Sequence, residues 1–478
     1  MGFASISMTV LGLATTVLVV RRLPPGEFGA YVLLQVGYVF MAEVSSFGLT
    51  MAIPKFVAGA SDSQYRSDLI KTTISFRFLT VAVLGAIGLI VTPFVGRLSG
   101  SSLASELIGY GVLLFGLESL GGAFISILEG LFRFRKLATI KIVSSSSYLV
   151  LVAAFVVFMD RGIVGVVQAK AISLVFSYAY AYLAIPREQG SVARFGILKE
   201  MLVFGFPLQL QYILDFAYSR IDTLIVGTLL GTAGVAYYEV ARKIPQSLSG
   251  FYEAFRAVYL PFVANLSGIG DRQKLTAMLN HSIRWLSFLT AAGALVALLF
   301  GHEIIVLLFS EEYASSIPAF VLLMIGLNLA FTESTLGYSL IAIDEPDKPL
   351  VVNAVRVVIS LVSNLLLIPV FGLAGAALAS LAGNLAAIPL DVHFLSRRMI
   401  LTAVRDYLKP ILAFGIVAIG FLVLGTSSVP FKIVVVGIYG FTCVLISAIT
   451  IDDLAAIAKE ANLSLLGLRR RAKALGSK

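Results

Sequence analysis

The chain has 478 residues, 58% of them hydrophobic and only 13% charged, with a formal net charge of +9. An average globular chain carries about 25% charged residues, so a water-soluble fold is excluded. The apolar stretches are continuous rather than alternating over about ten residues, which excludes a transmembrane β-barrel.

A helix needs about 20 apolar residues to cross a bilayer. Read in chain order, the sequence predicts 14 spans: 3–20, 28–53, 74–95, 107–128, 139–159, 162–184, 201–229, 233–262, 285–309, 314–342, 350–369, 372–395, 407–425 and 431–450. The first ends in Arg21-Arg22 with no small-residue cleavage site, unlike a signal peptide. Turn markers separate others, notably Pro24-Pro25-Gly26 and Asp160-Arg161-Gly162. The loops leave no room for a soluble domain. Basic residues concentrate on alternate connections, among them Lys55, Arg66, Lys71, Arg133, Arg135, Lys136, Arg194, Lys199, Arg272 and Lys274. The opposite side holds Arg21, Arg22, Arg97, Arg161 and Lys432. The positive-inside rule then places both termini in the cytoplasm of a plasma-membrane protein. The tail joins Leu465, Leu466 and Leu468 to Arg469-Arg470-Arg471. It reads either as an interfacial anchor on anionic lipid or as a plain orientation signal.

Cys443 is the single cysteine, so no intrachain disulfide forms. His281, His302 and His393 have no metal-ligand spacing. No phosphate-binding glycine loop is present. Neither a cofactor nor a nucleic-acid partner is expected.

Two segments repeat. Residues 20–31, VRRLPPGEFGAY, parallel residues 226–237, VGTLLGTAGVAY, at an offset of 206. Asp160-Arg161-Gly162-Ile163-Val164-Gly165 parallels Val370-Phe371-Gly372-Leu373-Ala374-Gly375 at an offset of 210. Both pairs fall at equivalent helix junctions. They predict an all-α polytopic membrane protein of two parallel six-helix lobes, residues 1–198 and 199–400. Two extra helices follow in 401–450, then a basic tail in 451–478. Parallel-repeat transporters bind substrate between lobes, near the bilayer midplane.

Charges interrupt the spans. Each costs about 2.5–3.5 kcal/mol near a helix centre facing lipid, so they must face water or each other. In the eighth span Glu239, Arg242, Gln246, Ser249, Glu253 and Arg256 recur every three or four residues, along one helix face. Lys243 stands beside that stripe, and Asp215, Ser219, Asp222 and Arg220 repeat the pattern in the seventh span. The stripe either lines an aqueous cavity or consists of ion pairs such as Glu239 with Arg242. The corresponding face of the second span is weaker, with Tyr31, Gln35, Tyr38, Glu43 and Ser46. Arg22 either snorkels to the interface or reaches a ligand. Glu43, Glu118, Asp215, Asp222, Glu239 and Glu333 are candidate ion-coupling carboxylates.

Arg21-Arg22-Leu23-Pro24-Pro25-Gly26-Glu27-Phe28-Gly29-Ala30-Tyr31 resembles the R-x-L-G-P-E-E-F-G-x-Y opening of polysaccharide-biosynthesis flippases of the Wzx type. Ser45 to Leu49 with Ala52 to Lys55, Asp222 to Gly231 with Ala236 to Ala241, and Phe371 to Ala377 resemble later family segments in the same order. The resemblance implies the multidrug/oligosaccharidyl-lipid/polysaccharide exporter fold. It also implies export of a polyprenyl-diphosphate-linked sugar, with a polysaccharide polymerase or glycosyltransferases as partners. Arg220, Arg242, Lys243 and Arg256 suit the phosphates, with Gln246, Tyr237 and Arg22 beside them. A multidrug or cation antiporter of the same superfamily would carry an acid in the first helix, where residues 3–20 have none. A peptidoglycan-precursor flippase is the other alternative. A polymerase or ligase would be an enzyme with a large outer loop, which the spacing leaves no room for.

Overall fold

The computed structural model describes residues 2–60, 62–99, 102–186, 192–345, 347–397, 403–425 and 428–448. The basic tail, Arg187 and Arg398 lie outside the described residues. Among the described residues the chain is helical, with no strand. In order the helices are α1 (Gly2–Val20), α2 (Pro25–Val44), α3 (Leu49–Gly59), α4 (Ser63–Ser99), α5 (Ser102–Gly130), α6 (Phe134–Val152) and α7 (Gly162–Ala184). There follow α8 (Phe195–Gly268), α9 (Arg272–Leu308), α10 (Ile317–Ala342), α11 (Asp347–Phe371), α12 (Leu373–Ser396), α13 (Ala403–Leu424) and α14 (Val429–Leu445). Among the described residues eleven helical segments are long and apolar enough to span a bilayer. The chain is a multi-pass membrane protein.

Two elements depart from a simple span list. The 74-residue α8 is two helices joined at Gly231, whose φ of 73° and ψ of −175° only glycine adopts without strain. It divides into arms 195–230 and 232–268, matching the seventh and eighth predicted spans. The second predicted span, 28–53, is instead broken into α2 and α3. The cause lies far along the chain. The Gln209 side-chain oxygen accepts the Ser46 hydroxyl and the Gly48 N–H, both at 2.8 Å, so the break is capped from α8. Pro25 opens α2, where its missing N–H costs no bond.

The repeated segments share geometry. Gly162 and Gly372, equivalent at the offset of 210, have φ of 55° and 57°. Gly26 and Thr232, equivalent at the offset of 206, face each other: a Cβ on Gly26 would lie 3.7 Å from the Thr232 hydroxyl. Nearby, a Cβ on Gly29 would fall 1.7 Å from the Thr232 carbonyl oxygen, so backbone crosses backbone there.

The chain forms two compact units. The first comprises Met1–Ala254, Ile305–Ala319 and Ser360–Ala379. Its core joins Leu49, Ile53, Leu69, Ile127, Leu128 and Met201, with the small residues Ala52 and Ala181 between them. Small residues let membrane helices approach closely, where hydrophobicity alone gives no drive. The second comprises Phe255–Ile304, Phe320–Ile359 and Ser380–Lys478. It holds one core of Tyr259, Leu279, Leu340 and Leu395 and another of Leu295, Ala413, Tyr439 and Cys443. The Tyr439 hydroxyl donates to the Phe288 carbonyl at 3.1 Å, satisfying the polar end of a buried ring.

Candidate functional site

The break at Gly231 folds the two arms of α8 together, which brings residues 219–223 against 238–243. Asp222 is buried, and its two carboxylate oxygens are fully used. One accepts the Tyr238 hydroxyl at 2.8 Å. The other accepts the Thr223 N–H at 2.6 Å and the Arg242 guanidinium at 3.1 Å. Arg242 also donates to the Thr223 hydroxyl at 2.7 Å and the Ser219 carbonyl at 2.9 Å. Arg242 is therefore held by protein on several sides. Arg220 stands 3.6 Å from the Glu239 carboxylate, an ion pair longer than a hydrogen bond. The pairing is thus Arg242 with Asp222 and Arg220 with Glu239, rather than Glu239 with Arg242 on one helix.

Beside this cluster lies a cavity of about 150 Å³. Thr15 and Thr16 of α1, Tyr31 and Gln35 of α2, Tyr148 of α6, and Glu239 and Lys243 of α8 line it. The Tyr31 and Tyr148 hydroxyls are 2.9 Å apart. The Lys243 ammonium has no hydrogen-bond or ion-pair partner among the described residues. An ammonium offers three donors, and the Glu239 carboxylate beside it in the cavity acts on it electrostatically without bonding it. The modest polar face predicted on the second span therefore supplies a wall of the cavity through Tyr31 and Gln35. Thr15, Thr16 and Tyr148 add to it without having stood out in the sequence; the only signals are a Thr pair in an apolar span and the Ser144–Ser147 run before Tyr148.

Polar groups continue behind Tyr148. Lys170 lies over its ring at 5.6 Å and pairs with Glu118 at 3.5 Å. Tyr178 donates to the same carboxylate at 2.6 Å. Glu43 is within electrostatic reach of Arg77, which is fully buried and donates to Thr50 at 3.2 Å.

The remaining predicted residues lie elsewhere. Tyr237 turns its ring edge-on to Tyr313, with centroids 5.6 Å apart. Gln246, Arg22 and Asp215 are exposed. Arg21, next to Arg22, donates to the Leu307 and Leu308 carbonyls, the latter at 2.9 Å, and so caps the end of α9. Arg256 and Glu333 belong to the second unit. There Arg256 donates to the Tyr338 hydroxyl at 2.8 Å, and Glu333 accepts from Arg356 at 2.7 Å.

This many-helix membrane chain thus holds a small polar cavity within the helices of its first unit. Residues 18–318 match the family described as polysaccharide biosynthesis protein, and the chain belongs to that family. Among relatives, a probable low-salt glycan biosynthesis flippase, Agl15, of Haloferax volcanii is 23% identical over 384 residues, 79% of this chain and 78% of that protein. A probable flippase of the same organism, AglR, is 25% identical over 401 residues, again 79% and 78%. Among solved structures, the lipid II flippase MurJ in an inward closed conformation superposes with a TM-score of 0.74 at 17% identity, over 93% of this chain and 98% of that one. The chain thus shares the fold of that structure.

Proposed function

We propose that the protein flips a lipid-linked oligosaccharide across the membrane for polysaccharide or glycan biosynthesis. Membership of the polysaccharide biosynthesis family and the relatives named as flippases support the substrate class. The observation that carries the reading is Lys243: a cation with unused donors, in a cavity walled by tyrosine, threonine and glutamine hydrogen-bonding groups. That lining suits the phosphate and first sugar of a polyprenyl-diphosphate glycan. A cavity of about 150 Å³ is too small for a whole glycan, so the lobes must part to admit it. Lys243 and Arg220 contact the head group in this scheme. Arg242 positions the two arms of α8, and Arg256 serves a later stage of the passage.

Transport proceeds by rocking of lobes 1–198 and 199–400, with the prenyl tail remaining in lipid. Both termini face the cytoplasm, and the glycan moves to the outer leaflet, where a polymerase or glycosyltransferase consumes it. The test measures the leaflet distribution of a labelled polyprenyl-diphosphate glycan in vesicles holding the purified chain. Equal rates with wild type and Lys243→Ala remove the head group from this cavity. No movement by wild type, with proven insertion, removes the flippase reading.

A further inference from the structure

The second unit holds a buried charge cluster that the head-group site does not use. Glu333 of α10, Arg356 of α11 and Asp391 of α12 lie in the interiors of three spans. Arg356 donates to Glu333 at 2.7 Å. Asp391 is 0% exposed, and neither of its carboxylate oxygens has a hydrogen-bond partner. The charged groups acting on it are Glu333 and Arg356. Other ionisable groups on the neighbouring helices are engaged or further along: Arg256 with Tyr338, His393 with Arg397, Lys348 with the Phe394 ring, and Tyr407 of α13 beside Thr332.

One guanidinium thus stands near two carboxyls, bonding Glu333 and leaving the fully buried Asp391 without a partner. Ionised, the cluster carries a net negative charge, and Asp391 lacks every one of the donors a carboxylate needs. Burying a carboxylate without donors costs more than burying a neutral carboxyl. The ionised state is thus unbonded in this arrangement of the helices, as expected of a group that changes state when they move.

We propose that Asp391, with Glu333 and Arg356, forms a proton-binding site in the second unit. One proton from water converts the Asp391 carboxylate to the acid and returns to water on release, with no other reactant. Its use as the driving ion rests on the transport reading above; the binding itself does not.

The test is infrared spectroscopy of the full chain in lipid nanodiscs, grown with isotope-labelled aspartate. The protonated-carboxyl stretch is followed as the buffer goes from acid to alkaline. A labelled band that fades reversibly with rising pH and is absent from Asp391→Asn is expected. Glu333→Gln frees Arg356 for Asp391, so the band should vanish already at neutral pH. A band unchanged in Asp391→Asn, or constant across the whole range, overturns the proposal. So does fading on sodium addition at fixed pH, which makes the site a metal-cation site. Should Asp391→Asn not fold, the wild-type titration and Glu333→Gln decide alone. Glycolipid flipping in vesicles is scored separately, so either reading fails without the other.

Discussion

Asp222 and Arg242 stand on opposite sides of the Gly231 break and bond at 3.1 Å, each with its side chain at most 15% exposed. The pair is the clasp that folds the two arms of α8 together. Removing one member of such a pair leaves an uncompensated buried charge, at a cost of about 3–5 kcal/mol. Arg242→Ala is therefore expected to lower the unfolding temperature in detergent and the level of inserted protein. Asp222→Asn combined with Arg242→Met should recover most of the loss, because no charge is then left alone. Wild-type stability of the single Arg242→Ala variant would free Arg242 for a substrate role instead.

Lys243 is expected to behave in the opposite way. It makes no hydrogen bond or ion pair among the described residues, and its neighbour Glu239 keeps Arg220 at 3.6 Å, so Lys243→Ala should insert and melt close to wild type. Flipping should fall. A hydrogen bond to a charged group contributes about 1.5–3 kcal/mol, which is roughly a ten- to hundredfold loss of rate. Lys243→Arg should retain part of the activity if charge is what matters. The split between stability and transport separates this residue from Arg242, its immediate neighbour in sequence.

That contrast also marks how far the sequence could be read. Helical periodicity placed Glu239, Arg242 and Lys243 near one face, because a period of about 3.6 needs no knowledge of neighbours. Which charge was paired depended on the angle at Gly231, which periodicity does not contain. The break between α2 and α3 stayed hidden for the same reason: its cap comes from Gln209 in a distant helix. Thr15 and Thr16 were silent because their hydroxyls also bond their own helix, to the Leu11 and Gly12 carbonyls at 2.8 Å and 2.9 Å. A threonine in a span looks self-satisfied until a cavity is seen beside it. Asp391 is an acid within the predicted span 372–395, but the lack of partners for both its oxygens exists only in three dimensions.

The orientation is open to a direct check. Reporter fusions after Asp160 and after Lys478 should report opposite sides of the membrane, with Lys478 cytoplasmic. The expectation follows from the basic residues on alternate connections and an even number of spans. Reports from the same side at both positions would require a span to be added or removed.

Gly26 and Thr232 provide the test of motion. They are equivalent positions of the repeat, and they touch: a Cβ on Gly26 would stand 3.7 Å from the Thr232 hydroxyl. Three residues on, Gly29 meets the Thr232 backbone so closely that no side chain fits. Both lie in the first compact unit, and the rocking of lobes 1–198 and 199–400 proposed above requires them to separate at this crossing in part of each cycle. Gly26→Cys with Thr232→Cys, in a chain whose Cys443 is replaced by Ser, should form a disulfide under mild oxidation. The Thr232 hydroxyl oxygen marks about where a cysteine sulfur at that position would stand, within contact of the Gly26 side, so little movement is needed to close the bond. Oxidation should stop glycolipid flipping, and reductant should restore it. Gly29→Leu should act in the opposite sense, wedging the crossing open. In that variant the cysteine pair should link slowly, if the protein inserts at all. Undiminished flipping by the fully oxidised pair would mean that this crossing stays shut throughout the cycle, and the moving boundary would then have to lie elsewhere in the chain.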